Sequence, residues 1–147
     1  MPPSTLSATP LPFTSVEIQD TLRLSLTFRA HPHRVAHMRH ITGAVLRQDD
    51  IGGDAAATVQ LLVSEIVTNA VVHGRAERIR FSLAYDGRGT VLIEVDDHSP
   101  APVAARLPDP DEESGRGMFL VSELAGAWGR RGSCTWCTVA TREVAAG

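Results

Sequence analysis

The chain has 147 residues, of which 43% are hydrophobic, and a formal net charge of −3. A chain of this size closes a core of its own, so we expect one globular domain. The small charge and the scattered basic residues argue against a nucleic-acid partner. All 14 basic residues are arginine, which excludes a Walker-type phosphate loop because that loop needs a lysine ammonium group.

The N-terminal segment MPPSTLSATPLPF has neither the basic start nor the apolar stretch of a secretion signal. No apolar run reaches the roughly 18 residues of a membrane span. We therefore expect a cytoplasmic protein without a membrane partner. Residues 1–15 are rich in Pro, Ser and Thr and have no apolar period, which predicts a disordered arm in front of a single domain over residues 16–147.

The first predicted elements are a strand and a helix. Apolar residues alternate with polar ones over 22–28, a pattern typical of a half-buried strand. Pro32 suits the first turn of a helix, and apolar residues continue at helical spacing to Leu46. Three of the four histidines at its start fall on neighbouring turns; they could bind a transition metal, although a solvated helix face is the commoner arrangement. The four are His31, His33, His37 and His40.

A second helix is predicted from Asp54, as its N-cap, to about His73, with Gly74 following it. Between residues 59 and 72 it is strongly apolar and carries no basic side chain, yet Glu65 and Asn69 share one stripe with Leu61 and Val72. A buried unpaired carboxylate costs several kcal/mol and a buried unpaired amide about 1–3 kcal/mol. The two side chains therefore either form hydrogen bonds with the backbone of a loop or line a functional site.

Two alternating runs joined by Asp86-Gly87-Arg88-Gly89 predict a β-hairpin over residues 78–95. Asp97 shares a face with the apolar residues of the second strand, the face expected to meet the helices. At this strand end a carboxylate can cap the following loop, or it can accept a hydrogen bond from an exocyclic amine such as that of adenine.

A proline-rich and then acidic loop is predicted over 99–114, followed by a helix that Gly115 and Gly117 open. Such glycines let the backbone approach a ligand, and the helix N-terminus favours phosphate, although ordinary turns use the same residues. Two short strands end the chain. Cys134 and Cys137 lie on the last one and point to opposite faces, so packed reduced thiols are favoured over a redox pair, and no second pair completes a zinc site.

The predicted order is therefore βααββαββ. Strands and helices that do not alternate strictly indicate an α+β fold. We expect a two-layer sandwich in which a mostly antiparallel mixed sheet is covered on one face by helices.

Three segments resemble the N, G1 and G2 boxes of the Bergerat, or GHKL, ATP-binding fold. They are Glu65-Ile66-Val67-Thr68-Asn69-Ala70, Val95-Asp96-Asp97-His98-Ser99-Pro100 and Gly115-Arg116-Gly117-Met118-Phe119-Leu120-Val121. The similarity covers about residues 20–143. Within that family the chain is most similar to the anti-sigma-factor serine/threonine kinase branch, as small actinobacterial ATP-binding regulators have it.

The resemblance implies a role for each of these side chains. Asn69 would coordinate the Mg²⁺ ion that bridges the ATP phosphates, and Glu65 would be the catalytic base for an incoming serine hydroxyl. Asp97 would bind the adenine amine. Gly115 and Gly117 would form the hinge of the ATP lid, with Arg116 and Met118 in the same nucleotide-binding box. Arg39, on the first helix, is a surface arginine or contacts a partner or the γ-phosphate.

The resemblance also implies that the chain regulates a sigma factor, phosphorylates a STAS-type anti-sigma antagonist and forms a homodimer. Two departures keep alternatives open. Ser99 and Ala101 stand where the wider family has the glycines of its G1 box, and the lid segment 102–114 carries four acidic residues but only Arg106 as a basic one. The alternatives are a nucleotide-gated binding module that transfers no phosphate, and a remnant that no longer binds ATP.

Overall fold

The computed structural model describes residues 21–98 and 120–141. Its helices and strands follow the predicted order. They are β1 (Leu22–Arg29), α1 (His33–Gln48), α2 (Gly53–His73), β2 (Arg78–Tyr85), β3 (Thr90–Asp96), a helical segment at 120–124, β4 (Ala127–Arg131) and β5 (Cys134–Ala140). The predicted arm at 1–15, the loop at 99–114 and the glycines at 115 and 117 lie outside the described residues.

The described strands form one sheet in the order β1-β2-β3-β5-β4. Each neighbouring pair is antiparallel, so the described part of the sheet is antiparallel throughout rather than mixed. The α+β architecture is confirmed. The sheet order puts β3 at the centre and β4 at an edge, and this arrangement positions the site discussed below.

The β2–β3 hairpin forms where the sequence predicts it. One carboxylate oxygen of Asp86 accepts hydrogen bonds from the backbone N–H groups of Arg88, Gly89 and Thr90, at 2.8, 3.0 and 2.9 Å. Gly87 and Gly89 adopt φ values of 74° and 127°, a region that favours glycine. The turn is therefore stabilised by the Asp86 carboxylate, and its two glycines adopt the backbone angles that the turn requires.

Both helices pack on one face of the sheet, and alternate residues of the strands meet them there. Val95 of β3 and Cys137 of β5 belong to this core, together with Met38 of α1 and Val63 of α2. Helix α2, with a mean hydropathy of 1.5, is also long and apolar enough for a membrane span, a test that the core helix of a globular domain passes as well. In the structure, 33% of that apolar stretch is buried.

The opposite face of the sheet carries a smaller cluster of Ala84, Leu92 and Trp136. The Trp136 ring lies against Gly129, where an added Cβ would come within 2.9 Å of it.

Cys134 and Cys137 are both buried and free, and burial raises the pKa of Cys134 to about 12. The prediction of packed, reduced thiols is confirmed.

The start of α2 differs from the prediction, whereas its end lies where it was predicted. The residue that precedes the helix is Gly52, which makes no side-chain cap bond, so Asp54 lies in the first turn instead of at the N-cap. A carboxylate there still interacts favourably with the positive end of the helix. Gly74 follows the helix as predicted, but its φ of −70° is not left-handed. Its N–H donates to the carbonyl of Ala70 at 2.8 Å.

Candidate functional site

Asp97 directly follows β3 and is 3% exposed. Its backbone N–H donates to the carbonyl of Ser133 at 3.2 Å, which ties the strand end to the β4–β5 turn. Because Val95 packs in the helix-side core, Asp97, two residues on, lies on that same face. The sequence prediction for this carboxylate, at the inner end of a strand, agrees with its position.

The C-terminal end of α2 lies next to Asp97. A Cβ added to Gly74 would be 3.1 Å from the Cβ of Asp97 and would overlap the carbonyl oxygen of Ala70. Only glycine fits this approach without a shift of the backbone. The structure thus brings together two segments that the sequence singled out separately, the end of the helix with Glu65 and Asn69, and the end of the strand with Asp97.

Arg130 of β4 forms an ion pair with Asp97. Its Nη2 donates to Oδ1 of Asp97 at 3.0 Å, and its Nη1 donates to Oδ2 at 3.4 Å and to Oγ1 of Thr135 at 2.9 Å. The side chains of Arg130 and Asp97 are 10% and 4% exposed. Removing one partner of such a buried pair leaves an uncompensated charge and costs about 3–5 kcal/mol.

The Nε of Arg130 is buried and has no hydrogen-bond partner among the residues that the structure describes. The guanidinium therefore uses Nη1 and Nη2 for Asp97 and Thr135, whereas Nε has no partner among the described residues. Such a donor is costly in a protein interior. Asp97 and Thr135 therefore hold Arg130 in place, although its Nε makes no hydrogen bond to a described residue.

Sequence reasoning missed Arg130. Part of a signal was present in the sequence, because residues two apart on a strand share a face and a tryptophan such as Trp128 favours a covered one; in the structure Trp128 does pack partly against the main core. Arg130 therefore had to point toward the helix layer, where a buried guanidinium needs an acidic partner. The identity of that partner depends on the β3–β5–β4 order, which the sequence pattern does not specify.

Glu65 and Asn69 are half-buried on α2, one turn apart, and neither side chain makes a hydrogen bond to another described residue. The sequence predicted an embedded stripe, but Leu61 and Val72 of the same stripe are 38% and 62% exposed. The reason is that α1 and the sheet cover only the opposite side of α2. Both polar groups are therefore accessible to a ligand.

Partial burial raises the pKa of Glu65 above its usual value of 4.5. Desolvation is the cause, since it disfavours the ionised form. A raised pKa brings a carboxylate closer to the range in which it can accept a proton from a hydroxyl group. This property fits a general base.

Arg39 is half-buried between α1 and α2 rather than fully solvated. Its Nη1 lies 3.5 Å from Oγ of Ser64, and its carbonyl accepts a hydrogen bond from Nε2 of Gln60 at 3.2 Å. Ser64 precedes Glu65. The guanidinium thus contacts the residue that precedes the catalytic candidate in the chain.

The histidines at the start of α1 interact with one another and with arginine. The rings of His31 and His33 stack at 4.5 Å, and Nδ1 of His37 lies 3.3 Å from Nη1 of Arg34. Within the described ranges no three His, Cys, Asp or Glu side chains are grouped as metal ligands.

The remaining predicted site residues, Gly115, Arg116, Gly117 and Met118, lie outside the described residues. The chain resumes in the helical segment at 120–124, which is anchored in the core by the fully buried Val121.

A comparison with known protein families places the chain in one of them. The family model described as histidine kinase-like ATPase domain matches residues 28–139, which run from the end of β1 nearly to the end of β5. The match includes Glu65, Asn69 and Asp97. No curated protein matches the chain.

Proposed function

Because the chain belongs to the histidine kinase-like ATPase domain family, an assignment that implies ATP binding, we propose that it is an ATP-dependent regulator of the anti-sigma type. It phosphorylates a serine or threonine of a STAS-type antagonist. One observation carries the proposal: Glu65 and Asn69 lie on the open side of α2, and the buried Asp97 lies at the end of that helix.

The available side chains fit the nucleotide and its metal ion. The Asp97 carboxylate is an acceptor for the exocyclic amine of adenine, and the oxygen of the Asn69 amide suits a hard cation such as Mg²⁺. When bound, Mg²⁺ neutralises charge on the transferred phosphoryl group. Gly115, Arg116, Gly117 and Met118 are proposed to form the hinge of a lid over the nucleotide.

Glu65 acts as the general base in the proposed transfer. Its carboxylate takes the proton of the serine or threonine hydroxyl, and the hydroxyl oxygen forms a bond to the γ-phosphorus of ATP. The bond from that phosphorus to the β–γ bridging oxygen breaks, and ADP leaves. The raised pKa of Glu65 supports this role.

The partners belong to the same proposal. A regulator of this type captures a sigma factor and releases it through the antagonist, and it works in the cytoplasm as a homodimer. Arg39 lies beside Ser64, near the edge where an incoming protein would present its hydroxyl. We propose that Arg39 contacts either this partner or the γ-phosphate.

The test is phosphate transfer from labelled Mg-ATP to candidate STAS-type antagonists. Glu65→Gln should abolish transfer and retain ATP binding, because the amide cannot accept the proton. The matched control is Glu77→Gln, at an exposed glutamate outside the helix, which should transfer phosphate like the wild type. Transfer by Glu65→Gln at the wild-type rate would refute the role of Glu65.

A second candidate function is a binding module in which ATP sets partner affinity and no phosphate moves. The lid sequence favours it, because Asp109, Asp111, Glu112 and Glu113 would repel the phosphates, and the lid segment 102–114 has only Arg106 to attract them. Its signature is ATP-dependent partner capture that persists in Glu65→Gln, without labelled phosphate on the partner.

A further inference from the structure

Arg130 lies outside the three sequence boxes, yet it contacts the residue proposed to recognise adenine. We infer that Arg130 is a positioning residue for base selection: it holds the Asp97 carboxylate as a fixed, charged acceptor for the exocyclic amine. This inference rests on the proposed nucleotide site and deepens it by naming what sets its preference for adenine.

The contact geometry supports the inference. The guanidinium pairs with both oxygens of Asp97, and Nη1 also donates to Oγ1 of Thr135 at 2.9 Å. Arg130 of β4 thereby holds the carboxylate directly, and Thr135 of β5 holds the guanidinium of Arg130. Each carboxylate oxygen has two acceptor directions, and Arg130 uses one on each oxygen, so this ion pair alone does not saturate the carboxylate.

Burial explains why the charge of Arg130 matters. The side chains of Asp97 and Arg130 are 4% and 10% exposed, so water compensates little of either charge. Without Arg130, no guanidinium on β4 holds the two carboxylate oxygens of Asp97 in place. A carboxylate that is no longer held can turn its oxygens away from the base, and it then distinguishes less sharply between a base with an amine and a base with a carbonyl.

The choice between ATP and ITP measures this selection directly. Adenine has an amine at the position where hypoxanthine has a carbonyl oxygen, and the two nucleotides are otherwise nearly identical. A fixed carboxylate accepts from the amine and repels the carbonyl oxygen. The wild type should therefore bind ATP at least about tenfold more tightly than ITP, because a mismatched buried polar group is costly.

The experiment is calorimetric titration of the full chain with Mg-ATP and with Mg-ITP. Arg130→Leu should weaken ATP binding and bring the two dissociation constants within about threefold of each other, because the charge-assisted bond is lost. Arg130→Lys keeps the charge and should restore part of the preference. The matched control is Arg131→Leu: Arg131 is 61% exposed and pairs with Glu94, and its loss should leave the ratio at the wild-type value.

A purely structural role of Arg130 predicts another result. It would weaken ATP and ITP by the same factor and keep their ratio, and that outcome would overturn the inference. If Arg130→Leu does not fold, as judged by its circular dichroism, then Arg130→Gln, which keeps N–H donors without the charge, replaces it in the same comparison. A wild type that binds neither nucleotide would refute the proposed nucleotide site itself, and the inference would fall with it.

Discussion

Glu65 is a half-buried carboxylate whose pKa is raised by desolvation. If it accepts the proton in phosphate transfer, the rate should rise with pH as the side chain ionises, and it should level off above the raised pKa. The pH profile of single-turnover transfer measures this. A rate independent of pH on both sides of the usual glutamate value of 4.5 would contradict the assignment.

The same carboxylate affects stability with a defined sign. The folded chain holds the Glu65 proton more tightly than the unfolded chain, so ionisation of Glu65 destabilises the fold as pH rises through its unfolded pKa and beyond. Glu65→Gln should therefore raise Tm at neutral pH, and the gain should disappear below the unfolded pKa, where Glu65 is protonated in both states. Thermal unfolding across this range, with Glu77→Gln as the control, checks the sign. A lower Tm for Glu65→Gln at neutral pH would contradict it.

At the residue scale, sequence reasoning located polar groups but not their partners. Glu65, Asn69 and Asp97 were identified because polar atoms on apolar faces need an explanation. Arg130 was missed because its role depends on which strand lies beside which. The exposure of Leu61 and Val72 was missed for a related reason: helical periodicity predicts which residues share a face, but the packing of α1 and the sheet decides which face is covered.

Gly52 and Gly74 flank α2, and replacing each by alanine tests how closely the end of this helix packs. A Cβ at Gly74 would overlap Ala70 and press on Asp97, whereas a Cβ at Gly52 meets nothing within 4 Å. Gly74→Ala should lower the free energy of unfolding by about 1–3 kcal/mol, and Gly52→Ala should change it by less than about 0.5 kcal/mol. Denaturant unfolding measures both.

Gly74→Ala should also weaken ATP binding, because the added Cβ would come within 3.1 Å of the Cβ of Asp97 and would displace that residue. Equal stability of the two glycine variants would refute the close approach of α2 to β3.

Periodicity and turn chemistry predicted the elements well. The alternation over 22–28 and the Asp-Gly-Arg-Gly turn depend only on residues that are close in the sequence. The structure therefore has β1 and the hairpin where they were predicted. Helix ends were less predictable. Asp54 has the chemistry of an N-cap, yet α2 begins one residue before it at Gly53, since the choice between adjacent starts depends on how the helix packs.

For the whole molecule, ligand binding should appear as stabilisation. Mg-ATP at a hundred times its dissociation constant should add about 2.7 kcal/mol to the free energy of unfolding, which a domain of this size reports as a rise in Tm of several degrees. Asn69→Ala and Asp97→Ala should remove the rise. Thr68→Ala, at an exposed neighbour on the same helix, should retain it. No rise at millimolar ATP would indicate a remnant that acts through its protein-binding surface.

The edge position of β4 has a consequence for local dynamics. This five-residue strand is hydrogen-bonded only to β5 among the described strands, and an edge strand paired on one side opens at a lower free energy than the whole domain unfolds. Because Arg130 lies on β4, each such opening detaches the guanidinium from Asp97 while the central strands stay folded. Amide exchange of β4 and binding of the base are therefore linked. A bound base that needs the ion pair slows amide exchange in β4, and opening of β4 weakens binding of the base.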